Sequence, residues 1–372
     1  RCLILEEILQ FHPMKMEDNM DFKKVDFFQP AIIVVAILVF LLMGYIGSFN
    51  YRFEDPLKLE LILTIFFAII VFIVAILIGK YKISFENTRK IDILSEKALI
   101  SLVLIAISLQ TLNLILIGGI PLFNSVLKSN ATTNIWRIAY PLFLIMINIL
   151  LAKYYKKRYL LVVLLGVMIF TLNGYRTSVI GILGSVFITL YYLGKINKKI
   201  GTIFVGLIVI GGIAIGYIAS QSIATQHWTL NPLELLFYRA AFTLEVFEKI
   251  IPLGATTHGH ILSMIFSSGS PRTFIGEYVL KYNVCLTSTL FGPVYLDFGI
   301  IGLTIQMFLI GLFLELLNKL KEGMGIGIYS IILTHTLIWI ETGPTDIMIW
   351  FLYLLGLILI ILNSNYIKLN KN

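Results

Sequence analysis

Polar and apolar positions along this chain segregate on the scale of whole helices rather than single turns. Predominantly apolar runs lie near 31–49, 58–79, 98–120, 137–152, 159–175, 178–194, 201–219, 297–317, 325–341 and 346–363. Each lies near the roughly 20 residues a helix needs to cross a bilayer. The pattern predicts an all-α, polytopic membrane bundle of about ten transmembrane helices. The run 137–152 is short and 284–296 is a candidate re-entrant element, so the count is open by one pair. The chain divides into an N-terminal segment 1–30, helices one to seven over 31–219, a long connection 220–296, helices eight to ten over 297–363, and a tail 364–372. No repeat, low-complexity tract or flexible linker interrupts this organisation.

Inside the long connection the period shortens to that of an amphipathic helix. Asn231-Pro232-Leu233-Glu234 reads as a helix start, with Asn as N-cap, Pro at the first helical position and Glu at the third. Leu233, Leu236, Phe237, Ala240, Leu244, Phe247 and Ile251 recur at helical spacing before Pro252. Glu234, Tyr238, Glu245 and Lys249 share another face. Such a helix lies on the membrane surface or packs across the spans, as a structural cap on the bundle or as a lid over a lipid-access site.

Charge placement orients the spans. Twenty basic residues fall in one set of segments: the N-terminal segment, the connections 80–97, 153–158, 195–199 and 319–321, and the tail. The other nine are Arg52, Lys58, Lys128, Arg137, Arg176, Arg239, Lys249, Arg272 and Lys281, and none of the 29 is left in the interior of a span, Lys58 and Arg137 standing at the first position of theirs. Under the positive-inside rule the first set is cytoplasmic, as are both termini, and the long connection faces outward. An even number of spans fits that parity. The chain begins with Arg1, and Met14, Met16 and Met20 are all candidate starts. No small-residue cleavage site follows an apolar core near the N-terminus, so no removable signal peptide is expected.

Composition agrees with the pattern. Hydrophobic residues make up 58% of the chain and charged residues 13%, about half the usual charged share of a soluble domain. Mean hydropathy is +0.91. Two cysteines, Cys2 and Cys285, exclude a disulfide scaffold and a cysteine zinc site. The net charge of +8 comes from the membrane-flanking loops and implies no nucleic-acid partner.

On the outward side three arginines stand out. Arg176, in Asn173-Gly174-Tyr175-Arg176-Thr177-Ser178, lies in a tight connection between two spans. Arginine near hydrocarbon depth is costly unless paired or wet, and so marks function; the competing reading is a snorkelling anchor of a helical hairpin. Its planar fork suits phosphate oxygens. Arg272 follows Ser270-Pro271 in the long connection, and Arg239 lies on the amphipathic helix. Together the three provide for a diphosphate. Candidate acid/base groups on that side are Glu234, Glu277, Asp297, Glu341, Asp346, His258 and His260. Asp297 opens a span, where capping of that helix explains it. Interface solvation explains Glu341 and Asp346. His258-Gly259-His260 lacks a patterned third ligand, so no metal is expected. His335, inside a span, reads as a packing hydrogen-bonder. Asn130-Ala131-Thr132 is a glycosylation sequon. There is no Walker loop, no Gly-x-Ser-x-Gly elbow, no His-Glu-x-x-His, and no Asp-x-Asp in the outer loops.

Three segments, taken in order, resemble a family. They are Gly118-Gly119-Ile120-Pro121-Leu122-Phe123, Gly174-Tyr175-Arg176-Thr177, and Thr287-Ser288-Thr289-Leu290-Phe291-Gly292-Pro293-Val294-Tyr295-Leu296-Asp297-Phe298-Gly299-Ile300-Ile301-Gly302. With a long outer connection before the last, the chain looks like a Wzy-type O-antigen polymerase, nearest the archaeal oligosaccharide-repeat-unit polymerase-like branch, over about 98–317. The resemblance implies a cell-envelope glycosyltransferase that joins polyprenyl-diphosphate-linked oligosaccharides into a polysaccharide on the outer face, without metal or other cofactor. It implies that Arg176 and Arg272 bind the diphosphates of donor or acceptor lipid, and that a carboxylate or histidine takes the acceptor proton, for which Glu234, Asp297 and His258 are the candidates in this sequence. It also implies lipid-linked oligosaccharide, the bilayer, and a chain-length regulator or flippase as partners. Related ligases carry a His about eleven residues before Gly-x-x-Gly. Here Thr287-Ser288 precede Gly299-x-x-Gly302, and His258 stands before Gly269 with Arg at 272, so the ligase pattern is absent. The Arg-to-Gly spacing of some bacterial polymerases is absent too. A flippase of lipid-linked oligosaccharide is the alternative, but it calls for similar halves and mid-span charges, whereas here the halves are not evidently repeated and ionisable residues inside spans are few. A non-catalytic envelope scaffold is a third reading.

Overall fold

A computed structural model describes residues 26–50, 52–53, 55–85, 94–196, 198–221, 230–267, 269–363 and 367–369. The candidate starts at Met14, Met16 and Met20 and the basic residues of 1–25 lie outside them. Each predicted apolar run folds as a helix: α1 (Ile32–Gly47), α2 (Leu59–Lys82), α3 (Glu96–Ile117), α5 (Asn134–Tyr154), α6 (Tyr159–Thr171), α7 (Arg176–Tyr192), α8 (Lys198–Gln221), α12 (Gly292–Lys319), α13 (Met324–Thr342) and α14 (Ile347–Leu362). Six of these (α2, α3, α5, α8, α12 and α13) are long and apolar enough to cross a membrane. The other four, α1, α6, α7 and α14, run 13 to 17 residues. Four further helices lie in the connections: the 19-residue α9 (Pro232–Ile250) and the short α4 (Ser125–Ser129), α10 (His260–Ile265) and α11 (Pro271–Ile275). The stretch 283–288 has no regular structure, and α12 begins at Gly292, so the candidate re-entrant element divides between coil and the start of a span.

α13 and α5 form the centre. Small residues let them meet closely: a Cβ on Gly327 would lie 2.9 Å from the Asn148 carbonyl carbon. Buried polar groups fasten the same layer, with Asn148 Nδ2 donating to Ser185 Oγ at 3.0 Å and Thr189 Oγ1 donating to Asn148 Oδ1 at 2.8 Å. Two glycines of α1 admit α9; a Cβ on Gly47 would collide with the Phe237 carbonyl, and one on Gly44 with Leu244. α9 carries the predicted capping box: Asn231 Oδ1 accepts from Glu234 N at 2.9 Å and Glu234 Oε2 accepts from Asn231 N at 2.9 Å. Its apolar face is wider than the spacing indicates, because Leu235, Ala241, Thr243, Val246 and Ile250 are buried as well, whereas Leu233 is exposed. The helix packs across the bundle.

The two ends of the bundle differ. At one end β1 (Ile83–Phe85) pairs antiparallel with β2 (Ile367–Leu369), joining the first basic connection to the tail. Lys319 Nζ donates to the Gly79 and Lys80 carbonyls at 2.8 and 2.9 Å, and Lys321 pairs with Asp26 at 2.8 Å. The loops grouped by charge thus meet in space. The opposite end carries the segments on which the family resemblance rests.

Candidate functional site

The connection between α6 and α7 is shaped by a glycine and a docked turn. Gly174 has φ +72°, and a Cβ there would sit 3.0 Å from Leu122 Cα, so a side chain is both strained and crowded out. Leu122 N donates to Leu172 O at 2.9 Å, which seats the 118–123 segment against this connection. Below it, buried Asn173 accepts from Gln110 Nε2 at 2.9 Å. Tyr175 donates its hydroxyl to the Lys128 carbonyl at 2.8 Å. Arg176 then begins α7, and its side chain lies against α8 where Gly216 leaves room: Cδ and Nη1 are 3.4 Å from that glycine's Cβ position.

Facing it, Glu341 occupies the last turn of α13. Its carboxylate accepts from Arg176 Nη2 and pairs with Arg239 Nη2 of α9 at 3.6 Å. Beyond Glu341 the chain turns at Gly343 (φ +71°), where a Cβ would lie 2.8 Å from the Thr289 carbonyl; this seats the turn against the third family segment. Thr345, in the same turn, accepts from Arg272 Nε at 2.9 Å, and Asp346 caps α14 through Met348 N at 3.0 Å. The Arg272 charge also reaches Tyr175. The turn 341–346 therefore gathers all three predicted arginines, each from a different element.

A fourth cation joins them. Lys128 has Nζ 5.7 Å from the Tyr175 ring centroid and no carboxylate partner among the described residues. Burial, then the Arg239 and Arg176 charges, hold its ammonium below the usual lysine range. Arg239 is likewise lowered, by desolvation first and Arg176 second, against the pull of Glu341. Cations crowded by other cations beside the Glu341 carboxylate make a site in want of more negative charge. Chemically, the arrangement can hold a compact polyanion, and the guanidinium forks favour phosphate oxygens.

The three acid/base candidates stand otherwise. Glu234 is spent in the α9 capping box, and it is exposed. Asp297 is 2% exposed and accepts from Thr257 Oγ1 at 2.6 Å, Ile261 N at 3.0 Å and Leu262 N at 2.8 Å. It therefore caps α10 across the connection, not its own helix, because α12 starts five residues earlier than the apolar run indicates. His258 is exposed with φ +48°, on the turn that leads into α10. The described polar contacts of Glu234 and Asp297 include none of the arginines. No sequence pattern marks Lys128 or Thr345 as site residues, and interface solvation is enough to explain Glu341 until its partners are seen. The available signal was Glu341 itself, a carboxylate at the C-terminal end of a helix, where the dipole repels it.

The family described as "Putative O-antigen polymerase" matches residues 26–353. The uncharacterized protein MJ0420 of Methanocaldococcus jannaschii is 39% identical over 141 residues, covering 37% of this chain and 33% of that protein. The uncharacterized protein MJ0419 of the same organism is 29% identical over 273 residues, covering 70% of this chain and 75% of that protein. The similarity thus spans about a third of the first relative's length and three quarters of the second's. No solved structure matches.

Proposed function

This chain belongs to the O-antigen polymerase family, and on that premise we propose that it is a membrane glycosyltransferase joining polyprenyl-diphosphate-linked oligosaccharides into a polysaccharide at the outer face of the cell membrane. The observation that carries the reading is the cluster of Arg176, Arg239 and Arg272 around the turn 341–346. In the proposed step an acceptor hydroxyl oxygen forms a bond to the donor's anomeric carbon. The bond from that carbon to the diphosphate oxygen breaks, and the electron pair leaves on the diphosphate. The hydroxyl proton passes to a nearby base, for which Glu234, Asp297 and His258 remain the sequence candidates. Charge develops on the departing diphosphate, so guanidiniums fixed beforehand favour the transition state over the ground state. In this reading no metal is required, because the arginines supply the neutralisation.

Placement at the outer face rests on the basic connections converging at the opposite end of the bundle, which the positive-inside rule makes cytoplasmic. The donor comes with its leaving group already attached, which fits a chain without a nucleotide-binding loop. A chain-length regulator or flippase would be its partners in the envelope.

The reading is tested in cells whose own copy has been deleted. Arg176→Ala is expected to reach the membrane at the wild-type level and to leave surface glycan as single repeat units. Polymer of wild-type length in that variant would sink the proposed role of the arginine cluster.

A further inference from the structure

Two charges in the cluster sit at the wrong ends of their helices. Arg176 is the first residue of α7, at the positive end of the dipole, and Glu341 lies in the last turn of α13, at the negative end. Each is disfavoured by its own helix and compensated by the other. Arg239 reaches the same carboxylate from α9. Lys128 has its ammonium 5.7 Å from the ring centroid of Tyr175, the residue before Arg176, and no carboxylate partner among the described residues. The carboxylate occupies the position that an anionic ligand of the two arginines would take, and it brings one negative charge to a group of at least three cations.

Resting on the diphosphate reading above, we propose that Glu341 is a resident anion that the lipid diphosphate displaces, and that Lys128 is the cation that receives the second phosphate. Displacement exchanges one carboxylate for a group of higher charge, so the arginines keep a partner while Lys128 gains one. Glu341 is freed only when ligand is present. A monophosphate can replace the carboxylate on the arginines but does not extend to Lys128. The two residues therefore act on affinity with opposite sign: the carboxylate competes with the ligand, and the ammonium holds it.

Proton linkage follows from the same geometry. The groups facing Lys128 are Arg239 of α9, Arg176 of α7 and the ring of Tyr175, with Glu341 of α13 across the arginines. In the ligand-free protein burial and the two guanidiniums disfavour its charged form; a bound phosphate favours it. Where the free lysine has lost its proton, binding takes one up, so affinity for diphosphate falls as pH rises through the Lys128 transition.

The test is binding of geranylgeranyl diphosphate and geranylgeranyl monophosphate to the purified full-length chain in detergent, with wild type, Arg176→Ala, Glu341→Gln, Glu341→Asp and Lys128→Met, each first shown to be monodisperse. Glu341→Gln preserves shape and is expected to bind the diphosphate on the order of tenfold more tightly, the scale of one charge-assisted contact. Glu341→Asp should fall between it and wild type. Lys128→Met should weaken the diphosphate about tenfold, leave the monophosphate near its wild-type affinity, and flatten the fall in affinity with rising pH. Arg176→Ala should lose both probes. If Arg176→Ala binds like wild type, the diphosphate reading itself is wrong. If Arg176→Ala loses the probes while Glu341→Gln binds no tighter, or Lys128→Met affects both probes alike or neither, the reading stands and displacement is overturned.

Discussion

At the residue scale the site is built from groups whose placement disagrees with their local surroundings. Arg176 and Glu341 oppose the dipoles of the helices that carry them, and Lys128 lies among cations. Such conflicts are tolerated where function needs them. Asp297 is the opposite case, with every contact satisfied: one hydroxyl and two backbone N–H groups converge on it in a position 2% exposed. Asp297→Ala leaves those donors unpaired, and we expect a loss of about 2–4 kcal/mol, the scale of deserting buried donors bound to a charged group, read as a lowered midpoint in thermal unfolding in detergent. A variant as stable as wild type but unable to polymerise would instead support Asp297 as the acid/base group. The arginines were legible in the sequence because a fork-shaped cation beside apolar spans is rare. Lys128 was not, since nothing in Ser125–Ser129 marks its neighbours, and the partners of Glu341 come from helices far away in the chain.

At the element scale, apolar runs of 16 to 23 residues mark helices because a chain in hydrocarbon must satisfy its backbone internally, and the runs read from the sequence all fold so. The start of α9 was equally readable, since a capping box is a local pattern. Where elements end was less so. α12 reaches back to Gly292 through Pro293, and Gly299 bends it with φ +61° and ψ −150°, a conformation no hydropathy pattern marks. The burial of α9 also depends on partners: only Gly44 and Gly47 of α1 explain how closely it packs. Gly47→Val would drive a side chain into the Phe237 carbonyl and Ala241. Overpacking of this kind destabilises by about 1–3 kcal/mol. Because Arg239 rides on α9, the same variant is expected to unfold at lower temperature and also to bind geranylgeranyl diphosphate more weakly; lowered stability with unchanged binding would separate the α1–α9 contact from the site.

At the scale of the whole molecule the bundle separates its charges. One end gathers the basic connections and the β1–β2 pair; the other holds the arginine cluster, the Gly174 connection and the 341–346 turn. Segments 118–123 and 174–177, far apart in the chain, meet there through Leu122 against Gly174, and 287–302 joins them by way of the 341–346 turn, with Thr289 against Gly343 and Glu341 against Arg176. Their order was visible in the sequence, but their convergence depends on the packing of α3, α7, α12 and α13. That convergence is what a polymerising site requires, since donor and acceptor lipids must come to one point from the surrounding bilayer. The most direct measurement is the size of the product. Purified wild-type protein, given polyprenyl-diphosphate oligosaccharide extracted from its own host together with EDTA, is expected to yield a gel ladder of repeat multiples, and Arg176→Ala to yield none. A single added unit, or a ladder that survives Arg176→Ala, would contradict the account.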